Sequence, residues 1–219
     1  MSQRVRVKIC GVTSVEDALL AADLGADAIG LNFYEKSARK VAPNTAANIA
    51  YLLQPFVDLV GVFVNVSWQQ LSDFAGIFRL RTLQWHGDKP LELLAEQQES
   101  LRLVPAFRVA SPGDLNLIQE YLRQATARAW RPPAILVDAQ VPGQYGGTGV
   151  TAPWELLAEF KPTAPLILAG GLTPDNVAEA IRIVRPYAVD VASGVESSSG
   201  KKDADKMKRF IENARAALG

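Results

Sequence analysis

The chain has 219 residues, of which 48% are hydrophobic, enough to bury a substantial core. Lysine plus arginine and aspartate plus glutamate both number 23, so the formal charge is zero and predicts neither nucleic acid nor membrane as a partner. A single cysteine excludes an intramolecular disulfide and a multi-cysteine metal cluster, and the N-terminus has no apolar signal core, so we expect a soluble cytoplasmic protein of a reducing compartment.

Short β-branched runs alternate eight times with segments of helical apolar spacing. The runs cover residues 5–10, 27–33, 58–65, 82–87, 102–109, 134–139, 165–171 and 188–194. Repeated βα units imply parallel strands, because each helix carries the chain back across the sheet. Eight units in this length predict a single-domain (β/α)8 TIM barrel over residues 1–219. An open doubly wound sheet is the alternative, but it would leave edge strands, and the first and last runs are as apolar as the middle ones.

Several helix starts are marked by capping residues. Ser14 precedes the first helical segment and is predicted to be its N-cap. Ser111 followed by Pro112, and Thr173 followed by Pro174, predict two further starts, because proline at the first helical position costs no hydrogen bond. These helix starts support the alternation of strands and helices that the barrel requires.

Polar and small residues collect where the predicted strands end. They are Cys10, Asn32, Asn65, His86, Arg108, Asp138, Gly170, Gly171, Ser193 and Gly194. In a barrel of this kind the active site lies at the C-terminal ends of the strands. We therefore expect a site at this end of the barrel.

The last two strand ends predict a phosphate site. Gly170 with Gly171, and Ser193 with Gly194, lie between a strand and the following segment, where barrels commonly bind phosphate. A third glycine-rich segment, residues 144–149 with Gly147, is long enough to reach the same place. One glycine pair alone would be explained by a tight turn, but three in one half of the barrel favour phosphate.

Two strand ends offer groups for proton transfer. Strand alternation places Lys8 and Cys10 on one face of the first strand, towards the barrel mouth, and a nearby cation makes a thiol a usable base. Asp138, on a strand across the barrel, would complete an acid and base pair that needs no cofactor. Cys10 as core filler and Asp138 as a loop cap remain open, and His86 is either a base or a hydrogen-bonded structural group. With one histidine and one cysteine, a metal site is not predicted.

Barrel closure also predicts a contact for Lys8. The eighth strand then neighbours the first, which places Asp190 on the inward side near Lys8. A buried unpaired charge is costly, so we expect the two to pair. The alternative is that Lys8 contacts substrate directly and Asp190 binds loop amides.

Several longer stretches form a set of motifs spread nearly end to end along the chain. They are KICG at 8–11, GADAIGLNFYEKSARKV at 25–41, GVFVN at 61–65, QWHG at 84–87, GGTG at 146–149, LAGGLTPDNV at 168–177 and VDVASGVE…GKKD at 189–203. Together, and in this order, they closely resemble the phosphoribosylanthranilate isomerase family.

The resemblance implies a cofactor-free Amadori rearrangement of a small phosphosugar in tryptophan biosynthesis, by a monomer or a homodimer. By position, Cys10 matches the family's general base, Asp138 its general acid, and Arg39 the arginine that holds the anthranilate carboxylate. The related isomerase of histidine biosynthesis would have an aspartate in each half, whereas the first strand here offers Cys10 and no carboxylate. A non-catalytic phosphosugar-binding barrel is the alternative from another functional class.

Overall fold

The eight predicted strands form a closed parallel barrel. A computed structural model describes residues 4–88, 91, 101–138 and 154–218. The strands, β1 to β8, are Arg6–Cys10, Ala28–Asn32, Asp58–Val64, Thr82–His86, Arg102–Arg108, Ile135–Asp138, Leu166–Ala169 and Ala188–Val191. Each pairs with the next, and β8 closes on β1. The prediction of a TIM barrel is therefore confirmed, and the open sheet is excluded.

The described helices lie between the strands. They are α1 Val15–Asp23, α2 Pro43–Leu52, α3 Trp68–Phe78, α4 Pro112–Ala127, α5 Trp154–Ala158, α6 Val177–Val184 and α7 Ala204–Ala216. Ser14 caps α1 as predicted, accepting a hydrogen bond from the Asp17 backbone N–H, and Ser111 forms a capping box at the start of α4. No helix in these described segments is long and apolar enough to cross a membrane.

One predicted helix start differs from the structure, and one predicted segment is not among the residues that the structure describes. The helix start at Thr173 and Pro174 is wrong, because α6 begins at Val177. The Asn176 side chain accepts the Thr173 backbone N–H at 2.8 Å and so organises a turn ahead of the helix. The glycine-rich segment 144–149, with Gly147, lies outside the described residues.

The interior of the barrel and the layer beneath the helices are separate cores. Val7 and Ile9 of β1 are fully buried in the large cluster between strands and helices. Lys8 alternates with them and points into the lumen, where its side chain contacts Gln84 of β4. Cys10 shares the inward face with Lys8 because side chains alternate along a strand. The predicted orientation of Lys8 and Cys10 is thus confirmed.

The loop after β8 contains a small hairpin that the sequence did not predict. A 3-10 helix, Ser193–Val195, leads into β9, Glu196–Ser198, which pairs antiparallel with β10, Lys201–Lys202. The Lys202 backbone N–H donates to the Asp17 carboxylate at 3.0 Å, and the Thr13 hydroxyl donates to the Gly200 carbonyl at 2.6 Å. These bonds attach the hairpin to the loop that follows β1 and to the first turn of α1.

Candidate active site

Cys10 lies at the end of β1, opposite a glycine that makes room for its thiol. Cys10 pairs in register with Gly30 of β2 and is 8% exposed. A Cβ at position 30 would lie 2.8 Å from the Cys10 Sγ and 3.0 Å from the Lys8 Nζ. Both distances are below normal van der Waals contact. Glycine at this position is therefore what allows the amine and the thiol to lie side by side.

Lys8 and Asp190 form the buried ion pair expected from barrel closure. Their register is direct, and the Lys8 Nζ donates to the Asp190 Oδ1 at 2.8 Å. The Nζ also donates to the Gln84 Oε1 at 3.0 Å, and the Gln84 Nε2 lies 2.8 Å from the His86 Nε2. Burial is the largest influence and alone would lower the pKa of Lys8, but Asp190 and Cys10 together outweigh it and the pKa is raised. Lys8 therefore stays a cation beside the thiol.

The Cys10 thiol is subject to opposing influences. Burial is the largest and raises the pKa of Cys10, and the Asp190 charge raises it further. The positive charges of Lys8 and Lys202 lower it. The net pKa is above the usual value in the ligand-free site. Thiolate formation therefore depends on these two cations.

Arg39, in the loop after β2, is bound by a carboxylate from the β9–β10 hairpin. The Arg39 Nε donates to the Glu196 Oε1 at 2.8 Å, and its Nη2 donates to the Glu196 Oε2 at 2.7 Å. Hydrogen bonding to Glu196 raises the pKa of Arg39. The pKa of Glu196 is lowered, because Arg39 and Lys202 together outweigh the effect of its burial. Glu196 thus connects the arginine to the hairpin as an ionised group.

Lys202 links this ion pair to the strand that carries Cys10. Its side chain has no exposed surface, and its Nζ donates to the Glu196 Oε1 at 2.9 Å. The Nζ also donates to the Cys10 carbonyl at 2.7 Å and to the Ala192 carbonyl at 3.1 Å. Burial lowers the pKa of Lys202, and Glu196 offsets this only in part. The ends of β1 and β8 are therefore held by one buried amine.

Asn32 supports the loop that carries Arg39. Its Nδ2 donates to the Ser37 Oγ at 3.1 Å, and its Oδ1 accepts the Tyr34 backbone N–H at 2.9 Å. The Ser37 Oγ in turn accepts the Arg39 backbone N–H at 3.1 Å. A strand-end residue predicted as part of the site therefore shapes the loop.

Asp138 and the glycine loops occupy another part of the same rim. Asp138 is the last residue of β6 and is half-buried. Strand β6 is three strands away from β1 around the barrel. Gly170 and Gly171 follow β7 with φ values of 92° and 65°, a region that favours glycine. A Cβ on Gly194 would lie 1.9 Å from the Leu172 carbonyl oxygen, so the loops after β7 and β8 are in close contact. Backbone groups of both loops are thus brought together beside β6.

Four residues at this site were not singled out from the sequence: Gly30, Gln84, Glu196 and Lys202. Gln84 shares its strand face with His86, so alternation along β4 could have indicated it. Gly30 could have been found from the pairing of β1 with β2. Within the described segments no group of three or more histidine, cysteine or acidic side chains is placed to hold a metal ion.

A family model, curated relatives and solved structures of similar sequence point to the same family. The model of the family "N-(5'phosphoribosyl)anthranilate (PRA) isomerase" matches residues 7–213. A phosphoribosylanthranilate isomerase of Geobacter metallireducens is 48% identical over 212 residues, covering 97% of this chain and 100% of the relative. The crystal structure of the Thermotoga maritima enzyme is 43% identical with a TM-score of 0.84, covering 96% of this chain and 98% of that one.

A further crystal structure holds a ligand. It is a phosphoribosylanthranilate isomerase in complex with reduced 1-(o-carboxyphenylamino)-1-deoxyribulose 5-phosphate, 41% identical with a TM-score of 0.81, covering 96% of this chain and 98% of that one. Matches of this identity over nearly the whole length establish the family as well as the fold. The chain described above belongs to the phosphoribosylanthranilate isomerase family, whose members are aldose–ketose isomerases.

Proposed function

We propose that this chain converts N-(5-phosphoribosyl)anthranilate into 1-(2-carboxyphenylamino)-1-deoxyribulose 5-phosphate, with Cys10 as general base and Asp138 as general acid. The observation that carries the assignment is the position of the Cys10 thiol, next to the charged Lys8 amine and across from Gly30. A thiol that served only as core filler would not need a buried cation beside it. Membership of the family supports the same reaction.

The chemistry needs two proton transfers on opposite sides of the sugar. Asp138 donates a proton to the furanose oxygen as the ring opens, which leaves a Schiff base between the ribose carbon and the anthranilate nitrogen. The Cys10 thiolate then takes the C2′ proton, and the resulting enolamine tautomerises to the aminoketose. C2′ is oxidised and C1′ is reduced within the same substrate, so no redox cofactor is required. Positioned acids and bases of this kind contribute ~10²–10⁴-fold each to the rate.

The two ends of the substrate need different partners. We assign the phosphate to backbone N–H groups of Gly171, Ser193 and Gly194, which the contact between their loops brings close together. The anthranilate carboxylate is assigned to Arg39, since a guanidinium binds a carboxylate through two parallel hydrogen bonds. Gly147 is proposed as a further phosphate contact on its sequence position alone.

The direct test is turnover of N-(5-phosphoribosyl)anthranilate by the purified protein, followed by anthranilate fluorescence. We expect substrate consumption by the wild-type chain and rescue of a tryptophan auxotroph that lacks this step. Inorganic phosphate should compete with the substrate. Binding of the substrate without turnover would support a non-catalytic phosphosugar-binding barrel and contradict the proposal.

A cytoplasmic homodimer is the assembly we propose. A crystal structure of monomers generated from the dimeric Thermotoga maritima enzyme is 39% identical to this chain, with a TM-score of 0.79. Three large apolar residues are exposed around the end of α2 and the segment after it: Tyr51, Leu52 and Phe56. Exposed apolar clusters of this kind often belong to interfaces. Light scattering at several protein concentrations tests the assembly, and a monomer at all of them would contradict it.

A further inference from the structure

Among the residues that the structure describes, Glu196 is the carboxylate bound by the Arg39 guanidinium, and it takes one of the two carboxylate-binding edges. Glu196 takes the side edge, formed by Nε and Nη2, at 2.8 and 2.7 Å. The end edge carries one further N–H on each of Nη1 and Nη2, pointing in parallel. This second edge has the geometry to bind another carboxylate in the same forked manner. A protein carboxylate and a ligand carboxylate can therefore share this arginine.

The guanidinium and the aliphatic part of the Arg39 side chain (its stem) are both held in place relative to Cys10. A Cβ on Gly11, which has a φ of 70°, would lie 2.6 Å from the Arg39 Cδ, so the stem passes directly over the backbone next to Cys10. At the other end, Glu196 is bound by Lys202, whose three Nζ donors go to Glu196, the Cys10 carbonyl and the Ala192 carbonyl. An ammonium has three donors, so Lys202 has none left for a ligand. Its part is to hold Glu196 in place.

The charges of this cluster leave room for one anion. Arg39 and Lys202 carry two positive charges against the single negative charge of Glu196. One ligand carboxylate on the end edge of Arg39 would make the cluster neutral. Without Glu196 the two cations would face each other with no carboxylate between them, and the guanidinium would lose both bonds that set its plane.

From this geometry we infer that Glu196 is a positioning residue, which presents the end edge of Arg39 to the aryl carboxylate and so determines selectivity for ortho-carboxylated substrates. The inference rests on the proposed function, in which Arg39 binds that carboxylate. Glu196 does not contact the reacting atoms in this scheme. Its loss should therefore weaken binding of the carboxylate far more than it slows the chemical steps.

The test compares two ligands that do not turn over. They are reduced 1-(o-carboxyphenylamino)-1-deoxyribulose 5-phosphate and the same compound without the carboxyl group, with affinities measured by titration calorimetry. In wild type the carboxylated ligand should bind at least about tenfold more tightly, the value of one charge-assisted forked contact. Glu196→Gln should bring the ratio close to one, raise KM about tenfold and change kcat by less than about threefold, with inhibition by inorganic phosphate unchanged.

Matched variants separate positioning from general damage. Glu35→Gln removes a carboxylate from the same loop, where Glu35 pairs with Lys40 at the surface, and should leave the affinity ratio at the wild-type value. If Glu196→Gln does not fold, Glu196→Asp keeps the charge beside Lys202 but is one methylene shorter, and should lower the ratio to an intermediate value. Arg39→Lys should bring the affinity ratio close to one, because a lysine ammonium cannot form two parallel hydrogen bonds to a carboxylate.

Two results would overturn the inference in different ways. If Arg39→Lys abolishes the carboxylate preference while Glu196→Gln or Glu196→Asp keeps it within about twofold of wild type, the ligand still uses Arg39 and the positioning role of Glu196 is wrong. If wild type itself shows no turnover and no preference for the carboxylated ligand, the proposed function fails, and the inference fails with it.

Discussion

The interior of the barrel is divided into an apolar half and a charged half. Around β5, β6 and β7 the lumen is filled by Val104, Ala106, Ala134, Leu136, Ile167 and Ala169. Around β1, β4 and β8 it contains Lys8, Gln84 and Asp190, all buried. Cys10 lies at the end of the charged half, and Asp138 at the end of the apolar half.

The difference shows how one barrel can support two proton-transfer groups in different ways. The base side is built from a connected network in which each buried charge has a named partner, so a single change there leaves another charge uncompensated. Below Asp138 the barrel interior is packed with apolar side chains, whose van der Waals contacts are many and individually weak. We therefore expect activity to respond more strongly to changes among the buried charges below Cys10 than to changes among the apolar residues below Asp138.

The largest expected effect on the charged half is loss of the base itself. Cys10→Ser keeps the size of the side chain but replaces the thiol by a hydroxyl that is not a base at neutral pH. We expect kcat to fall by ~10²–10⁴-fold with the melting temperature nearly unchanged. Steady-state kinetics and thermal unfolding measure the two. Turnover close to wild type would mean that another group takes the C2′ proton.

On the apolar half the matching change is Asp138→Asn. The amide keeps the shape but has no proton that it can transfer, so ring opening should slow and kcat should fall by ~10²–10⁴-fold. Binding of the reduced, ring-opened product analogue should change little, since it needs no ring opening. An Asn variant with wild-type turnover would contradict the assignment of the acid.

The Lys8–Asp190 pair distinguishes an electrostatic role from a structural one. Either Lys8→Met or Asp190→Asn leaves a buried charge without its partner and should cost about 3–5 kcal/mol of unfolding free energy. Their effects on the base should have opposite signs. Lys8 lowers the pKa of Cys10 and Asp190 raises it, so Lys8→Met should move the acid limb of the pH–rate profile to higher pH, and Asp190→Asn should move it to lower pH.

A double-mutant cycle on stability gives the independent check of this pair. Residues in direct contact show coupling of about 0.5–3 kcal/mol, so a value well below ~0.5 kcal/mol would mean that the pair does not interact in solution. Shifts of the acid limb in the same direction for both variants would indicate that the pair only supports the fold.

Most of the fold was predictable because strand periodicity is strong in a parallel barrel. The predicted strand bounds lie within three residues of β1–β8, and of the three helix starts predicted from capping signals the one at Thr173 is misplaced. That error arose because the signal of proline at the first helical position is local, whereas the Asn176 side chain binds back to Thr173 and delays the helix. The β9–β10 hairpin carries Ser, Gly and Lys with no apolar alternation, so no pattern indicated it.

The candidate site was predictable where strand register decides contacts, and not where loops do. Lys8 and Asp190 could be paired in advance, because closure of the barrel fixes β1 against β8. Arg39 and Glu196 are 157 residues apart and lie on two loops. Whether their side chains meet depends on loop conformation, which alternation along a strand does not determine.

The smallest of the expected effects concerns Gly30, which contributes no functional group. Gly30→Ala would place a methyl group 2.8 Å from the Cys10 Sγ and 3.0 Å from the Lys8 Nζ, so one of them must move. Overpacking of this kind costs about 1–3 kcal/mol. Separating the amine from the thiol also weakens the stabilisation of the thiolate by the Lys8 ammonium. The acid limb of the pH–rate profile should therefore move to higher pH, as for Lys8→Met.

Gly76→Ala in α3 is the matched control for Gly30→Ala. Its Cβ would meet no atom within 4 Å, so stability should be equal or slightly higher and the pH profile unchanged. A Gly30→Ala variant with the stability and pH profile of wild type would show that the thiol does not depend on its closeness to Lys8.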